Sequence, residues 1–301
     1  MKKRKKITLF DTCNLIFMLL VVAIIIYPLY FTVIASFSEP KAVASGEVIW
    51  LPVGFTLEAY QHVFEYKQIW VGYKNAVIYT VFGTVFNLIL TIPAAYMLSK
   101  KYLPGRNGIM VLFMITMYFS GGMVPQYLLM KNLGLLDTSL VLIVSGGVSV
   151  YNLIVTRTYF STSISGSLFE AAEIDGAGEM KRFITIAIPL AKPIIAVMVL
   201  YYAVGHWNNY FSALLYITKP ALEPLQTVLR KVLIMNQNAL SNSVLAENID
   251  AEAMNAAAQR AYAAYTMKYA MVFIASAPLL IAYPFVQKYF VKGVMIGAVK
   301  E

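Results

Sequence analysis

The stretch Ser167-Leu168-Phe169-Glu170-Ala171-Ala172-Glu173-Ile174-Asp175-Gly176-Ala177-Gly178-Glu179-Met180-Lys181-Arg182, continuing to Ile186-Ala187-Ile188-Pro189, is a polar island between two apolar runs. Four acids, two glycines and a Lys-Arg pair stand together in it. Ser167 and Glu170 have the S-x-x-E spacing of a capping box, which predicts a helix start. Gly176 and Gly178 are natural helix stops, because glycine accepts the left-handed backbone of a C-cap. The expected local structure is a short helix, a tight glycine turn and a second short helix. Such a helix, held between two apolar spans, suits a groove on a partner protein. The alternative is an ordinary amphipathic linker between membrane helices.

Working outward, the chain of 301 residues is 59% hydrophobic and 13% charged, with a mean hydropathy of +0.68. Soluble domains are roughly 45–50% apolar and about 25% charged. The composition therefore predicts an all-α, polytopic membrane protein, with one membrane domain for its length. A single cysteine, Cys13, excludes an internal disulfide framework and a cysteine metal cluster. His62 and His206 lie far apart and show no metal-ligand spacing. The net charge of +9 points either to nucleic acid or to lipid headgroups. Its placement along the chain favours a topogenic role, so membrane lipid is expected as a partner and nucleic acid is not.

Six apolar spans are expected. The first covers about 15–34 after the basic Met1–Lys6; it is too long for a signal-peptide core and lacks a small-x-small cleavage site. About 20 apolar residues suffice to cross roughly 30 Å of hydrocarbon. Pro28 predicts a kink in it. Residues 38–70, with Pro, Gly, four glutamates, Trp50 and Trp70, read as an exposed loop with interfacial aromatics. The second span covers about 71–98 and the third about 108–129, interrupted at Gly121-Gly122 and Pro125. The fourth covers about 139–160, the fifth about 189–217 and the sixth about 267–290. Residues 218–266 form a second long polar segment whose Ala-rich part, 251–264, has helix-forming composition. In this reading 1–14 is the N-terminal segment, 15–290 the six-helix domain with the polar island at 165–188, and 291–301 the tail.

Six spans put both ends on one side, together with the 100–106 turn and the polar island. That side holds 15 of the 24 Lys and Arg residues and 6 of the 15 acids, a net +9, leaving 9 bases and 9 acids on the other. Lys and Arg accumulate on the cytoplasmic side of membrane proteins. Both termini and the polar island are therefore expected in the cytoplasm, on the plasma (inner) membrane.

No acid falls at the centre of a span. A charge there costs roughly 2.5–3.5 kcal/mol on insertion scales, and those that survive usually serve a pathway. Their absence argues against a proton-coupled secondary transporter and an intramembrane aspartyl protease. There is no H-E-x-x-H and no G-x-x-x-x-G-K-S/T, so the chain cannot hydrolyse ATP by itself. The spans do carry neutral polar and aromatic residues: Asn75, Tyr79, Asn87, Tyr118, Tyr151, Asn152 and the cluster His206-Trp207-Asn208-Asn209-Tyr210. Amides bond hydroxyl groups and rings stack on the apolar faces of sugars, so these are candidates for a path taken by uncharged, hydroxyl-rich ligands. The alternative is that they bond helix to helix, at about 0.6 kcal/mol each. On a continuous helix Trp207, Tyr210, Phe211 and Leu214 share one face, while Asn208, Ser212 and Leu215 lie on a neighbouring one. Part of the cluster is then expected to contact ligand and part to pack.

The pattern E-A-A, three residues, G, nine residues, I-x-L-P resembles the coupling loop of ABC importer permeases. It runs here as Glu170-Ala171-Ala172, Gly176, Ile186 and Ile188-Pro189, with Ile188 where the family usually has Leu. The Trp207-to-Phe211 stretch and the ending Val286-to-Gly293 look like the sugar-transporting branch. They are similar to the smaller membrane subunit of maltose-type importers and to Gram-positive complex-oligosaccharide permeases. The resemblance implies a type I importer fold with a cytoplasmic coupling helix. Glu170, Ala171, Ala172, Asp175, Gly176, Gly178 and Pro189 would couple it to an ATPase. It also implies a second permease of similar fold, two ATPase subunits that bind ATP and Mg, an extracellular solute-binding protein and a sugar or oligosaccharide substrate. No cofactor is implied for the chain itself, and the tail would reach the ATPase. The competing functions are the same machine importing peptides or another solute, an integral membrane enzyme, and an ATPase-binding scaffold.

Overall fold

The computed structural model describes residues 8–244, 262, 266–284 and 287. The expected Ala-rich helix at 251–264, the Val286-to-Gly293 stretch and the tail lie almost wholly outside them. The regular elements among the described residues are helices: α1 (Leu9–Ser36), α2 (Pro40–Ala44), α3 (Glu58–Glu65), α4 (Lys67–Ser99), α5 (Arg106–Tyr118), α6 (Met123–Asn132), α7 (Ser139–Val144) and α8 (Val150–Thr162). There follow α9 (Gly166–Ile174), α10 (Glu179–Arg182), a π-helical turn (Phe183–Ala187), α11 (Ile188–Leu190), α12 (Lys192–Trp207), α13 (Tyr210–Tyr216) and α14 (Leu225–Val244). The final described helix is α15 (Thr266–Pro284).

Three of these helices are long and apolar enough to cross a membrane, namely α1, α4 and α15. The count rises to five if α5 with α6 and α10–α11 with α12 are each one bent span. The first pair bends by 111° and the second by 79°. The third span breaks where the glycine pair was expected to interrupt it, at Gly122, whose φ of +90° no ordinary helix contains. The expected fourth span is two short helices, α7 and α8, separated at Gly146 with φ +78°. The expected fifth span stops at Trp207 and restarts at Tyr210. Apolar composition requires only that a segment lie in hydrocarbon. Broken backbone is tolerated there when protein buries it or when it lines a cavity.

The chain divides into two compact units, one within Met1–Lys67 and Leu229–Ala277, the other within Gln68–Val228 and Pro278–Glu301. In the first, α1 begins with a capping box between Thr8 and Asp11 and presents large apolar side chains outward along most of its length. The expected exposed loop after it is instead folded. Ala42, Val43 and Val48 bury against Ile34 and Ala35, and Phe37 stacks on Phe55 at 5.8 Å. Amides pin this turn, with Glu39 N–H donating to the Val53 carbonyl at 2.9 Å and Thr56 N–H to that of Phe37 at 3.0 Å.

In the second unit one core joins α4, α5, α8, the π turn and α12. Its members include Tyr96, Leu153, Phe160, Met198 and Tyr202. Ala95, Ala187 and Ala191 within it are fully buried. In lipid, helix association rests on van der Waals packing, and small residues let backbones approach closely. The π turn precedes Pro189, which has no N–H to offer the Thr185 carbonyl and whose ring would crowd it. The Ile188 N–H instead reaches back five residues to Phe183.

Candidate functional site

Two regions of the second unit carry the expected site residues. The first is the polar island. Helix α9 starts at Gly166, one residue before Ser167, and no side chain caps it; Ser165 and Ser167 hydroxyls meet each other at 2.8 Å. The predicted Ser167–Glu170 capping box is therefore absent: the helix start falls upstream, so Ser167 lies inside the helix. The stop at Gly176 is as expected. Gly176 has φ +74°, its N–H bonds the Glu173 carbonyl at 3.0 Å, and the Ala177 N–H bonds that of Ala172 at 2.8 Å. This pair of bonds is the Schellman closure of a helix C-terminus. Gly178 is not a second stop. It is the N-cap of α10, with ordinary φ of −64°.

Glu170, Ala171, Asp175 and Pro189 are exposed, and Ala172 is half-buried. Leu168, Ile174 and Met180 add apolar surface beside them, Ile174 being 88% exposed. Behind this outer face lies a dense polar cluster that the sequence reading did not single out. The Tyr96 and Tyr102 hydroxyls donate to the two oxygens of Glu179, each at 2.6 Å. Arg182 bonds Glu179 at 2.8 Å and Glu173 at 2.6 Å. The Lys100 ammonium sits 3.2 Å from the Phe169 ring centre and 4.4 Å from that of Tyr96. Burial alone would raise the Glu179 carboxyl, but the Tyr102 and Tyr96 hydroxyls and the Arg182 and Lys100 charges hold it below its ordinary value. Burial, then the bond to Glu179, pushes the Tyr102 hydroxyl up to about 12, so it remains a donor.

The second region is a cavity of about 270 Å³ lined by Asn87, Ser145, Gly146, Ser149, Asn152, Tyr201, Tyr202, Gly205, His206 and Asn209. Two helix breaks build it. Where α7 gives way to α8, the carbonyls of Gly146 and Gly147 accept hydrogen bonds from the Asn87 amide at 3.1 and 2.8 Å. Where α12 gives way to α13, Asn209 caps the new helix by accepting from the Ser212 N–H at 3.2 Å. Asn87 also meets His206 at 2.6 Å, and Tyr202 meets Thr91 at 2.6 Å. A Cβ at Gly83 would fall 2.4 Å from the His206 ring, so the imidazole rests directly on the α4 backbone there. The lining offers hydroxyls, amides, phenols and one imidazole, and no Lys, Arg, Asp or Glu. It can exchange hydrogen bonds with a neutral polyol while presenting ring faces.

Of the path candidates, the structure brings Asn87, Asn152, His206 and Asn209 into this cavity, while Tyr151 is exposed and not among its lining. Asn75 and Tyr79 lie elsewhere: the amide donates to the Ala221 and Glu223 carbonyls at 2.8 and 3.1 Å, the phenol to that of Leu222 at 2.9 Å. They stitch loop 217–224 to α4, and Asp137 completes the stitch by accepting from the Thr218 and Lys219 N–H groups at 2.5 and 3.2 Å. Tyr118 is 77% exposed at the end of α5. Trp207 is buried, edge-on to Tyr73 at 5.7 Å. Asn208 is exposed at the C-cap of α12, and Tyr210 projects outward beside Phe211. Trp207, Tyr210, Phe211 and Leu214 do not share one helical face as expected, because α12 ends at Trp207. The Tyr202, His206, Asn209 spacing of four and three residues was the sequence signal for the lining that the reading of 206–210 as a block passed over.

A family model described as "Binding-protein-dependent transport system inner membrane component" matches residues 69–296. Protein LplC of Bacillus subtilis (strain 168) is 40% identical over 291 residues, covering 97% of this chain and 95% of LplC. The polygalacturonan/rhamnogalacturonan transport system permease protein YtcP of the same organism is 36% identical, covering 97% of this chain and 98% of YtcP. A chain in the crystal structure of a bacterial ABC transporter involved in the import of the acidic polysaccharide alginate superposes with a TM-score of 0.82 at 34% identity. That match spans 96% of this chain and 99% of the other. Proteins of this kind are the membrane subunits of a transporter and not enzymes themselves. With the match running from the start of α4 across both the exposed glycine-closed helix and the cavity, the chain belongs to the family of binding-protein-dependent transport-system inner membrane components.

Proposed function

We propose that this chain is one of two permease subunits of an ATP-driven importer for a sugar or oligosaccharide, and that the cavity bounded by Asn87, Asn152, His206 and Asn209 is its share of the passage. The cavity carries the reading: a neutral, hydrogen-bonding lining at two helix breaks favours hydroxyl-rich ligands. The relatives named for polygalacturonan and alginate import support the carbohydrate class. A passage must bind weakly enough to release its cargo, as channels do. An extracellular solute-binding protein then supplies most of the affinity.

The charge asymmetry supports the reading that the segment 15–290 crosses the membrane six times, with residues 1–14, residues 165–188 and the tail 291–301 in the cytoplasm. There the exposed face of α9, with Leu168, Ala171 and Ile174, fits a groove on an ATPase subunit. ATP and Mg belong to that partner.

The test is uptake of a panel of labelled neutral and acidic oligosaccharides by cells carrying alanine variants, with the assembled complex quantified in parallel. Asn152→Ala and Asn209→Ala are expected to reduce uptake per complex. Trp207→Ala removes a buried ring and is expected to reduce the amount of complex instead, by about 3–5 kcal/mol of stability. Parental uptake per complex in both asparagine variants refutes the assignment of the cavity.

A further inference from the structure

Tyr96, Tyr102 and Lys100 lie outside the stretch that resembles the coupling loop, Glu179 and Arg182 fall in its nine-residue spacer rather than at a motif position, and the transport reading leaves all five unused. Glu179 is the first residue of α10, directly after the glycine turn. Both its oxygens are occupied by phenols from the C-terminal end of α4 and the turn beyond it. Arg182 ties the same carboxylate to Glu173 on α9. Lys100 lies against Phe169, also on α9. Thus α10 is fastened to one end of α4 by charge-assisted bonds, roughly twice as strong as neutral ones, and α9 is held to the same end by Phe169 against Tyr96 and Lys100 and to α10 by the Arg182–Glu173 pair.

The other end of this connection is the cavity. Nine residues before Tyr96, α4 presents Asn87 to His206 and to the α7–α8 break. Between them Thr91 bonds Tyr202. At 1.5 Å per residue, about 14 Å of helix separates the cluster from the cavity wall. Pro93 lies in this interval and removes one backbone bond. The helix nevertheless runs unbroken to Ser99, with Ile92 and Ala95 on either side of the proline buried in the core.

We propose that Tyr96, Tyr102 and Glu179 are positioning residues that clasp the α9–α10 segment to α4, so that displacement of this segment by the ATPase reaches the cavity along that helix. The proposal rests on the reading of the cavity as passage and of α9 as the ATPase-facing helix. What the clasp adds is the route: α4 carries the motion because its end bonds Glu179 on one side of the glycine turn and packs on Phe169 on the other, and its middle holds Asn87. The buried ring of Tyr96 packs against Phe160, Phe169 and Phe183, so removing its hydroxyl leaves the packing in place.

The experiment uses the complete complex in proteoliposomes, with Cys13→Ser and Gly205→Cys in this chain. A Cβ at Gly205 meets nothing within 4 Å, so the thiol enters the cavity wall without displacing a neighbour. The alkylation rate of this cysteine by a small maleimide is measured without nucleotide and with Mg-ATP and vanadate, alongside ATP binding and basal hydrolysis. In the parent, nucleotide is expected to change the rate about fivefold or more, the lower end of ordinary coupling. In the Tyr96→Phe/Tyr102→Phe double variant and in Glu179→Gln, the change is expected to fall below about twofold, with ATP binding retained. A role in stability alone would lower the amount of complex and leave the nucleotide response per complex unchanged. If the double variant assembles poorly, Tyr102→Phe decides, because that ring is 60% exposed. A parental response in Tyr102→Phe and Glu179→Gln overturns the clasp while leaving the passage reading intact. Absence of any nucleotide response in the parent overturns the passage reading and the clasp with it.

Discussion

The contact between Gly83 and His206 supplies a sharp test of how the cavity is built. A methyl group at position 83 would stand 2.4 Å from the imidazole Cε1 and 2.5 Å from Nε2. Ordinary contacts begin near 3.4 Å, so the ring must retreat by about 1 Å or more. It cannot do so and keep its 2.6 Å bond to Asn87. Overpacking of this kind costs about 1–3 kcal/mol, and loss of the hydrogen bond adds about 0.5–1.5 kcal/mol. Against this, alanine is favoured over glycine in a helix interior by about 1 kcal/mol. Gly83→Ala is therefore expected to destabilise the complex by about 0.5–3.5 kcal/mol net and to push the ring into the cavity. In a His206→Ala background the clash and the bond are both gone and only the helix preference remains. There the same substitution is expected to be neutral or to stabilise by up to about 1 kcal/mol. The assay is the apparent unfolding midpoint of the purified complex for the four members of this cycle, with uptake measured on each. Equal cost of Gly83→Ala in both backgrounds would refute the packing argument.

Two further outcomes follow from the backbone and from charge. Gly176→Ala places a side chain at φ +74° with no neighbour to strike, so its cost is backbone strain alone, about 1–2 kcal/mol. Nucleotide-stimulated transport is expected to fall by about 5- to 30-fold at unchanged assembly, since 1.4 kcal/mol is a factor of ten, while Gly178→Ser, at an N-cap with ordinary φ, stays near parental. Asp137→Asn keeps a residue type that tolerates its φ of +55°. The backbone and hydroxyl bonds from Thr218 hold the Asp137 carboxyl below 3.8. The folded value is depressed, so its stabilisation is complete above pH 3.8 and is lost as pH falls further. Unfolding midpoints of parent and variant are expected to differ by a constant amount at higher pH and to converge below pH 3.8; a gap independent of pH counts against the clamp.

The membrane class, the all-helical character and the exposed glycine-closed helix were legible in the sequence. Each depends on local chemistry: apolar composition sets the solvent, and Gly176 is where a left-handed turn costs least. The helix breaks were legible only in part. Gly121-Gly122 announced one of them, whereas Gly146 and Asn208-Asn209 sit in runs whose composition allows a continuous span. Periodicity reports which residues would share a face if a helix continued, and it carries no information on whether distant groups satisfy the carbonyls a break exposes. The Asn87 amide does so for Gly146 and Gly147 from 59 and 60 residues away. The same limit sorted the asparagines. Asn75 and Asn87 look alike in the sequence, but one stitches loop 217–224 and the other walls the cavity. Which partner a polar side chain in lipid finds is decided by the packing of helices far apart in the chain, and only the tertiary structure contains that packing.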